Sequence, residues 1–438
     1  MSKKKKQTQA ASEQSHGFKD SALGRIPEGW AVRAIGEVTE VNPEKLSAKT
    51  KKNFIIRYLD IESIPAPGFI ASYKTFHFFE APSRAQRLVK KDDVIISTVR
   101  PYLKSFAYIT KQYDNFVCST GFAVLRVRQG FNSKFLFQYI LTDHFLSQVL
   151  PKMVGSNYPA VNSSDIAAIL LPIPPLPEQS AIAAILSTAD DAIEKTDLLI
   201  AKYKRIKQGL MQDLFRYGID ENGQIRREQT HRFKDSPLGK IPDEWEVKGL
   251  LGICNLVNGR AFKPSEWSDS GLSIVRIENL NNILASFNYC NFKVPSKYYV
   301  NDGDLLISWS GTPGTSFGIF VWNRGRAILN QHIFKVILPP DSIISEYFYY
   351  AYKNLLIEMI KNSHGGVGLQ HITKSDLQQL NLLLPTLSEQ SRIATVLSAA
   401  DAVIEKEESY RQKLLALKHG LMEDLLTGKV RVLEIANK

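Results

Sequence analysis

The sequence is poor in cysteine and has no long apolar run. Its 438 residues include three scattered cysteines, a number and spacing that fit neither a disulfide framework nor a zinc site. No apolar run approaches the roughly 18 residues of a membrane span, and the N-terminus lacks an apolar signal-peptide core. We therefore expect a cytoplasmic protein whose residues 1–17 form a disordered basic tail.

The motifs of the common catalytic sites are also missing. The sequence has no GxxxxGK[ST] phosphate loop, no glycine-rich dinucleotide loop, no GxSxG elbow and no HExxH pair. It has no Asn-Pro-Pro-aromatic run of the kind that amino-methylating enzymes carry, and residues 42–44, the nearest approach, predict a turn. Metal binding by Asp92-Asp93 or Asp190-Asp191 is the weaker interpretation, because the first pair opens a strand and the second suits a solvated helix face. We expect no catalytic residue, no metal and no cofactor in this chain.

Acidic residues are fewer than basic ones. The formal net charge is +11 and the pI is about 9.3, which favours an anionic partner, with nucleic acid ahead of membrane. Lys3 to Lys6 supply four of these charges, so the charge alone is a weak indication. The 44% apolar and 23% charged content is typical of a globular protein, and the length allows two or three domains.

One long segment organises the chain. A proline-rich lead at residues 172–177 precedes a proline-free run of about forty residues that predicts a helix ~60 Å long. Its apolar positions alternate in steps of four and three, the pattern of a coiled-coil seam. Glu178 lies in the first turn, where the helix dipole favours negative charge. The seam positions are Ile182, Leu186, Ala189, Ile193, Ile200, Tyr203, Ile206, Leu210 and Leu214, with Thr196 in the gap before Ile200.

The same segment returns near the C-terminus. Residues 389–406 match residues 178–195 at twelve of eighteen positions. Here Thr386 and Glu389 predict a capping box, Arg411 replaces Ile200, and Gly428 is expected to end the helix. One alternative is that each helix buries its seam in its own domain. A length of ~60 Å exceeds the diameter of an ordinary domain, so we expect the two helices to pair. The second set of seam positions is Ile393, Leu397, Ile404, Leu414 and Leu421.

The N-terminal part of each copy also repeats. Residues 18–33 match residues 233–248 at ten of sixteen positions, so the chain is two tandem copies of an opening motif, a variable body and a long helix. The bodies share an order of elements but little sequence. In copy one we predict strands in residues 54–61, 93–99 and 116–127 and a helix over 133–150; in copy two, strands in 272–280, 304–310 and 327–338 and a helix around 343–361.

The two copies define the expected domains and fold class. We predict an α+β protein with two tandem mixed α/β domains separated by two long helices that form an antiparallel coiled coil, with an internal pseudo-two-fold. The boundaries are a tail at 1–17, a first body domain at 18–172, a first helical region at 173–217, a polar linker at 218–232, a second body domain at 233–384, a second helical region at 385–428 and a tail at 429–438.

This doubled pattern resembles the specificity subunit of type I restriction–modification systems. The matching stretches are PIPPLPEQSAIAAILSTADDAIEK, LPTLSEQSRIATVLSAADAVIEK, KQGLMQDLF, KHGLMEDLLTGKV and the paired opening motifs. The resemblance implies that the body domains are target-recognition domains, that each reads one half of a gapped double-stranded DNA site, and that the helices hold them apart. It also implies that two methyltransferase subunits dock on the helices, that restriction/translocase subunits join them, and that S-adenosylmethionine, ATP and magnesium belong to those partners.

Candidate DNA contacts are basic, amide and aromatic residues in the divergent bodies, because base-reading residues should differ between copies. Trp30 and Trp245, which lie in the shared opening motif, are expected to pack in a core instead. The candidates are Lys74, Arg84, Arg87, Arg100, Tyr102, Lys104, Asn157 and Tyr158 in copy one, and Arg260, Lys263, Ser310, Thr312, Thr315, His364 and Gln370 in copy two.

Two other functions compete with this interpretation. The first is an enzyme with an unusual site, and the second is a structural coiled-coil adaptor that binds DNA without sequence specificity. The charged residues beside the seam fit partner docking or simple solubility equally well; they are Glu194, Lys195, Lys202, Lys204 and Arg205.

Overall fold

The computed structural model describes residues 17–47, 49–310, 317–362, 377 and 380–432, without the side chains of residues 360–362. The chain divides into two compact units. Unit 1 comprises residues 1–197 and 409–438, and unit 2 comprises residues 198–408. Each long helix therefore contributes one half to each unit.

The body of unit 1 is built mainly from short strands. Its helices are α1 (Ile35–Val38), α2 (Ser133–Ile140), α3 (Asp143–Val149), α4 (Ser163–Ala167) and the first half of α5 (Leu176–Arg216). Its strands are β1 (Phe18–Ser21), β2 (Gly24–Pro27), β3 (Ala31–Ala34), β4 (Thr39–Val41), β5 (Ile55–Leu59), β6 (Lys74–His77), β7 (Ala85–Leu88), β8 (Val94–Ser97), β9 (Phe106–Tyr108), β10 (Val117–Ser119), β11 (Phe122–Val127) and β12 (Leu170–Ile173).

Two four-stranded sheets form the centre of unit 1. One has the order β4-β11-β8-β9 and is antiparallel throughout; the other has the order β6-β5-β10-β7, with one parallel pair, β5 and β10. Alternate side chains of β8 serve two cores: Ile95 packs between the sheets, and Val94 and Ile96 pack against α2 and α3. Burial of both faces explains the continuous apolar run that predicted this strand.

Unit 2 has the corresponding set of elements. Its helices are the second half of α5, α6 (Leu250–Ile253), α7 (Ile277–Asn281), α8 (Ser345–Asn362) and the first half of α9 (Leu387–Leu425). Its strands are β13 (Phe233–Ser236), β14 (Gly239–Pro242), β15 (Glu246–Gly249), β16 (Asn255–Asn258), β17 (Leu272–Val275), β18 (Asn288–Cys290), β19 (Tyr299–Val300), β20 (Leu305–Ser308), β21 (Gly318–Val321), β22 (Ala327–Leu329), β23 (Ile333–Ile337) and β24 (Asn381–Leu384).

The sheets of unit 2 repeat the topology of unit 1. Their orders are β16-β23-β20-β21 and β18-β17-β22-β19, and β17 and β22 form the parallel pair. Both units also pair the strand of the opening motif with the strand before the long helix, as β3 with β12 and as β15 with β24. The prediction of two mixed α/β domains of one design is confirmed.

Four predicted elements were wrong in detail. The stretches predicted as strands over 116–127 and 327–338 each contain two strands, β10 and β11 in the first and β22 and β23 in the second. The expected helix over 133–150 is two helices, because the Thr142 hydroxyl accepts a hydrogen bond from the Phe145 N–H and starts α3. The expected strand over 272–280 ends at Val275, where Asn279 accepts a hydrogen bond from the Arg276 N–H and begins α7. A local side-chain cap overrides the continuous helix pattern at Thr142 and the strand pattern at Arg276.

The long helices pair antiparallel inside each unit, which confirms the predicted coiled coil. In unit 1, Asp190 of α5 pairs with Lys418 of α9 at 2.5 Å and Asp197 pairs with Arg411, so partner numbers fall as α5 advances. Asp190 thus lies in the helix pair, not on a solvated face as predicted. In unit 2 the same arrangement joins Lys207 to Asp401 at 2.5 Å and Lys204 to Glu408 at 2.6 Å.

The seam is mostly buried. Ile206 was wrongly assigned to it, since its side chain is 45% exposed, and Met211 is buried instead. Thr196 fills its predicted gap and donates to the Ala192 carbonyl. The buried seam residues are Ile182, Leu186, Ala189, Ile200, Leu214, Ile393, Leu397, Ile404 and Leu414, and the half-buried ones are Ile193, Tyr203, Leu210 and Leu421.

Candidate DNA-recognition site

A buried carboxylate joins three parts of unit 1. Glu178, in the first turn of α5, accepts hydrogen bonds from the Trp30 Nε1 at 2.9 Å and from the Arg431 Nε and Nη2 at 2.7 and 2.8 Å. Trp30 comes from the opening motif, is 1% exposed and packs in a core, as predicted. Arg431 follows the end of α9 and lies in the segment predicted as a tail. Its bonds to Glu178 complete the attachment of the body to the long helices.

Unit 2 contains the equivalent attachment. Glu389, in the first turn of α9, accepts from the Trp245 Nε1 at 3.0 Å, from the Ile219 N–H at 2.8 Å and from Arg226. The predicted capping box is therefore only half present. The Thr386 hydroxyl accepts from the Glu389 N–H at 3.4 Å, but the Glu389 carboxylate faces the buried cluster. Arg226 and Ile219, which lie in the segment predicted as a linker, are buried.

The glutamine after each glutamate fixes the body's helical layer. The Gln179 Oε1 accepts from the Asn132 N–H at 2.9 Å, at the start of α2, while its Nε2 donates to the Pro174 carbonyl. Gln390 does the same before α8, accepting from the Ile344 N–H at 2.9 Å. The Glu-Gln pairs thus position the bodies, and the surfaces that could read DNA lie elsewhere.

The loops beyond β8 bring three predicted DNA contacts together in unit 1. Arg100 has a left-handed backbone (φ 48°), its guanidinium donates to the Asn157 carbonyl at 2.8 Å, and it stacks over the Tyr158 ring at 4.7 Å. Strained non-glycine residues are concentrated at functional sites. We name residues 98–104, 119–121 and 154–160 the loop edge of unit 1. Tyr102 is exposed on this edge.

The other candidates of unit 1 are placed less favourably. Lys104 donates to the Leu141 carbonyl at 2.7 Å and pairs with Asp143 at 3.3 Å, and Lys74 pairs with Asp60 at 2.6 Å. Burial lowers the pKa of the Arg87 guanidinium, which lies half-buried on β7. Arg84 is exposed and its carbonyl accepts from the Thr120 N–H, so it borders the loop edge.

The equivalent edge of unit 2 lies beyond β20 and between β22 and β23. We name residues 258–260, 309–310 and 330–332 the loop edge of unit 2. Arg260 belongs to it, but its guanidinium pairs with Glu266 and stacks over Phe262 and Phe292 at 4.5 and 5.2 Å. Lys263 is exposed nearby and Ser310 is half-buried. The predicted contacts Thr312, Thr315, His364 and Gln370 lie outside the described residues.

Sequence reasoning missed the turn between β22 and β23. Gln331 is exposed there, and His332 has a left-handed backbone (φ 69°) with its ring 4.6 Å from that of Trp309. The Trp309 Nε1 in turn donates to the Asn258 Oδ1 at 3.3 Å. The polar Asn-Gln-His triplet inside an otherwise apolar run could have indicated this turn. The apolar residues on both sides of it predicted one continuous strand instead.

A family model decides the assignment. The type I restriction modification DNA specificity domain matches this chain twice, over residues 27–201 and 242–416. The chain belongs to this family. Each match contains one opening-motif tryptophan, one body and the start of one long helix, so the two matches correspond to the two tandem copies.

Curated relatives and solved structures agree with that assignment. The chain is 27% identical to the putative type I restriction enzyme MjaX specificity subunit of Methanocaldococcus jannaschii, over 95% of this chain and 97% of the relative. It is 23% identical to the EcoKI specificity subunit of Escherichia coli K12, over 94% and 90%. A chain in a solved type I R-M system structure matches with a TM-score of 0.58 and 26% identity, over 92% of this chain and 99% of that one.

A further solved structure supports the fold. The type I S subunit from M. genitalium matches with a TM-score of 0.54 at 15% identity, over 91% of this chain and 96% of that one. Within the described ranges, no helix is long and apolar enough to cross a bilayer, and no cluster of three or more His, Cys, Asp or Glu side chains is arranged to hold a metal. By its family and its curated relatives, this specificity subunit is a DNA-recognition component of a type I restriction–modification system.

Proposed function

We propose that this specificity subunit binds a bipartite, gapped double-stranded DNA target, with one half-site read by each body domain. The observation that carries the proposal is the contrast between scaffold and loop edge. The two units share strand order and buried attachments, but Arg100, Asn157 and Tyr158 meet on one edge and Trp309, Gln331 and His332 on the other. Different side chains on equivalent edges would select different bases.

The paired helices would fix the distance between the half-sites. α5 has 41 residues and α9 has 39, and each contributes to both units. Deleting seven residues from each at equivalent places, 196–202 and 407–413, keeps the seam in phase and shortens each helix by ~10 Å. We expect the preferred spacer to shorten by about three base pairs, at ~3.4 Å each. A folded variant that keeps its spacer would contradict this role of the helices.

The chemistry would reside in partner subunits. The complex we propose is an adenine-specific DNA methyltransferase and ATP-dependent endonuclease, in which two methyltransferase subunits and restriction/translocase subunits join this non-catalytic chain in the cytoplasm. S-adenosylmethionine, ATP and magnesium would bind to those partners. The solved type I R-M system structure that contains a similar chain concerns the assembly of that complex, which supports such partners.

An exposed stripe on each long helix suits partner docking. In unit 2 it consists of Lys202, Ile206, the half-buried Gly209 and Asp213, spaced by four, three and four residues, and Ile206 is 45% exposed. In unit 1 the equivalent stripe is Lys413, Leu417, Gly420 and Asp424, and Leu417 is 56% exposed. Glycine allows close approach of a second helix, and the spacing is that of a coiled-coil face. Two equal stripes would hold two copies of the same methyltransferase subunit.

The docking stripe is tested with paired substitutions. Ile206→Asp and Leu417→Asp should each remove one of two bound methyltransferase subunits, as measured by mass photometry of the purified complex. Leu415→Asp, a change at an exposed apolar position of α9 that lies on a different side of the helix from the stripe, is the matched control and should leave both bound. Loss of neither subunit from the two stripe variants would show that the partners dock elsewhere.

The recognition function is tested with DNA selection. The chain, in complex with its methyltransferase subunits, is incubated with random-sequence duplexes at fixed, stated salt, and bound duplexes are sequenced. Two conserved blocks separated by a constant gap are expected. Binding without sequence preference would favour the coiled-coil adaptor, and DNA modification by the purified chain alone would favour an enzyme.

A further inference from the structure

The turn between β22 and β23 is pinned by its main chain. The Asn330 N–H donates to the Val275 carbonyl at 3.1 Å, and the Gln331 N–H donates to the Arg260 carbonyl at 2.9 Å. The His332 carbonyl accepts from the Trp309 N–H at 3.1 Å. These three bonds hold the backbone of the turn against its neighbouring segments, so its position is set before any ligand arrives.

Unit 1 shows that the fold does not require long polar side chains at this turn. The equivalent turn, between β10 and β11, has the sequence Ser119-Thr120-Gly121. Its Gly121 carbonyl accepts from the Thr98 N–H at 2.8 Å, the counterpart of the His332 bond. Since serine, threonine and glycine allow the same main-chain bond at this turn, that bond does not account for the Asn-Gln-His sequence of unit 2.

The turn of unit 2 is also unfavourable for the isolated protein. His332 adopts a left-handed backbone (φ 69°), a region that favours glycine, whereas the equivalent Gly121 of unit 1 does not adopt it. Among the described residues, the Asn330 Oδ1 and the His332 Nδ1 are buried without a hydrogen-bond partner. Native proteins rarely leave such atoms unpaired, and those that do so commonly have a functional site there.

Gln331 is the side chain that this arrangement presents. It is exposed, and its carboxamide makes no hydrogen bond to any part of the chain that the structure describes. A glutamine carboxamide offers one acceptor and one donor side by side, the pattern that pairs with N6 and N7 of adenine in the major groove. We propose that Gln331 determines specificity for an A·T pair in the half-site of unit 2, with Asn330 and His332 as positioning residues. The proposal rests on the DNA-recognition function proposed above.

Two substitutions at Gln331 test this role in the complex with the methyltransferase subunits, using random-sequence duplexes. Gln331→Ala should abolish the adenine preference at one position of one half-site and weaken binding to the selected duplex about 10- to 100-fold, while the other half-site is unchanged. Gln331→Glu should shift that position towards cytosine, whose N4 donates to a carboxylate. A change of preferred base is an effect that a merely structural role would not produce.

Matched controls separate this inference from the proposed function. Gln224→Ala removes another exposed glutamine of unit 2, and Thr120→Ala alters the equivalent turn of unit 1; both should leave the half-site of unit 2 unchanged. If both Gln331 variants select the same bases with the same affinity as the unmodified chain, the inference is wrong while bipartite recognition stands. If the unmodified chain selects no sequence, both proposals fall.

Discussion

Units 1 and 2 place equivalent strands in the same order and attach them to the long helices through the same kind of buried carboxylate. At the loop edges they differ in chemistry. Unit 1 has an arginine over a tyrosine ring beside a short Ser-Thr-Gly turn, whereas unit 2 has a tryptophan in tilted contact with a histidine ring beside Gln331. The two copies thus share the residues that pack the body against the long helices. They differ at the loop edges, where packing does not dictate the side chain.

This contrast separates two kinds of constraint. A buried carboxylate must keep hydrogen-bond donors around it, so Glu178 and Glu389 recur in the two copies with the same tryptophan contact. A turn held by main-chain bonds tolerates many side chains, so its sequence is available for recognition.

Removing the arginine from either attachment should have the largest effect. Arg431→Met leaves the buried Glu178 with Trp30 as its remaining donor, and we expect a loss of roughly 3–5 kcal/mol in the free energy of unfolding. Arg226→Met leaves Glu389 with Trp245 and the Ile219 N–H, so its loss should be smaller, about 2–3 kcal/mol. Urea unfolding followed by tryptophan fluorescence measures both.

The exposed Arg232 provides a control for this pair of variants. Arg232→Met should change the free energy of unfolding by less than about 0.5 kcal/mol, because the side chain is at the surface. Equal losses from Arg431→Met and Arg226→Met would show that the additional hydrogen bond from the Ile219 N–H to Glu389 does not contribute to the free energy of unfolding. The two attachments would then be equivalent despite their different hydrogen bonds.

The glycine that follows each long helix should be nearly as sensitive. A Cβ at Gly218 (φ +70°) would lie 2.2 Å from the Glu389 Oε1 and 2.5 Å from the Trp245 ring, and we expect Gly218→Ala to destabilise by about 3 kcal/mol. A Cβ at Gly428 (φ +76°) would lie 2.6 Å from Pro27, so Gly428→Ala should cost about 2 kcal/mol.

Two helical glycines serve as matched controls for these substitutions. Gly209 and Gly420 have open space where a Cβ would be, so Gly209→Ala and Gly420→Ala should stabilise by about 1 kcal/mol through helix propensity. Thermal unfolding ranks all four variants. A Gly218→Ala protein as stable as the controls would contradict the close packing of this glycine against the attachment.

Much of the scaffold was predictable because its determinants are local or repeated. The repeated Trp and Glu-Gln positions and the four-three spacing of the seam were visible in the sequence and identified the tandem copies and the paired helices. Less of the candidate site was predictable. That Lys104 and Arg260 would be engaged by Asp143 and Glu266 depends on folding, and charge composition does not reveal it.

The missed turn illustrates a limit of periodicity. Residues 327–338 read as one apolar run, so the sequence predicted a continuous strand and hid Gln331 between β22 and β23. The positive φ of His332 is a property of the backbone that the residue type does not predict. The equivalent Ser-Thr-Gly triplet of unit 1 was a stronger turn signal.

Equivalent ion pairs within the helix pair should differ slightly between the units. Lys418 pairs with Asp190 in unit 1, and Lys418→Met should cost about 0.5–1 kcal/mol because the pair is partly solvated. Lys207 pairs with Asp401 and also lies 5.3 Å from the Tyr350 ring centroid, so Lys207→Met should cost about 0.5 kcal/mol more. The exposed Lys202→Met is the control. Urea midpoints measure the difference, and identical losses would mean that the ring contributes nothing.

Acid should affect unit 1 through a carboxylate that borders its central sheet. Hydrogen bonds from Lys90 and then Arg126 hold the pKa of Glu44 below its ordinary value of 4.5. Because the pKa is depressed in the folded state, this stabilisation is present above pH 4.5 and is lost as the pH falls through the lower folded value. Glu44→Gln should therefore cost about 0.5–1 kcal/mol at pH 7, allowing for solvent screening, and almost nothing at pH 3.

In unit 2, Asp304 pairs with Lys335 at 2.6 Å, and Lys335→Met should not alter the pH dependence of the Glu44→Gln difference. Urea unfolding at both pH values measures it, and an equal loss at pH 7 and pH 3 would show that the effect of Glu44→Gln is not ionic.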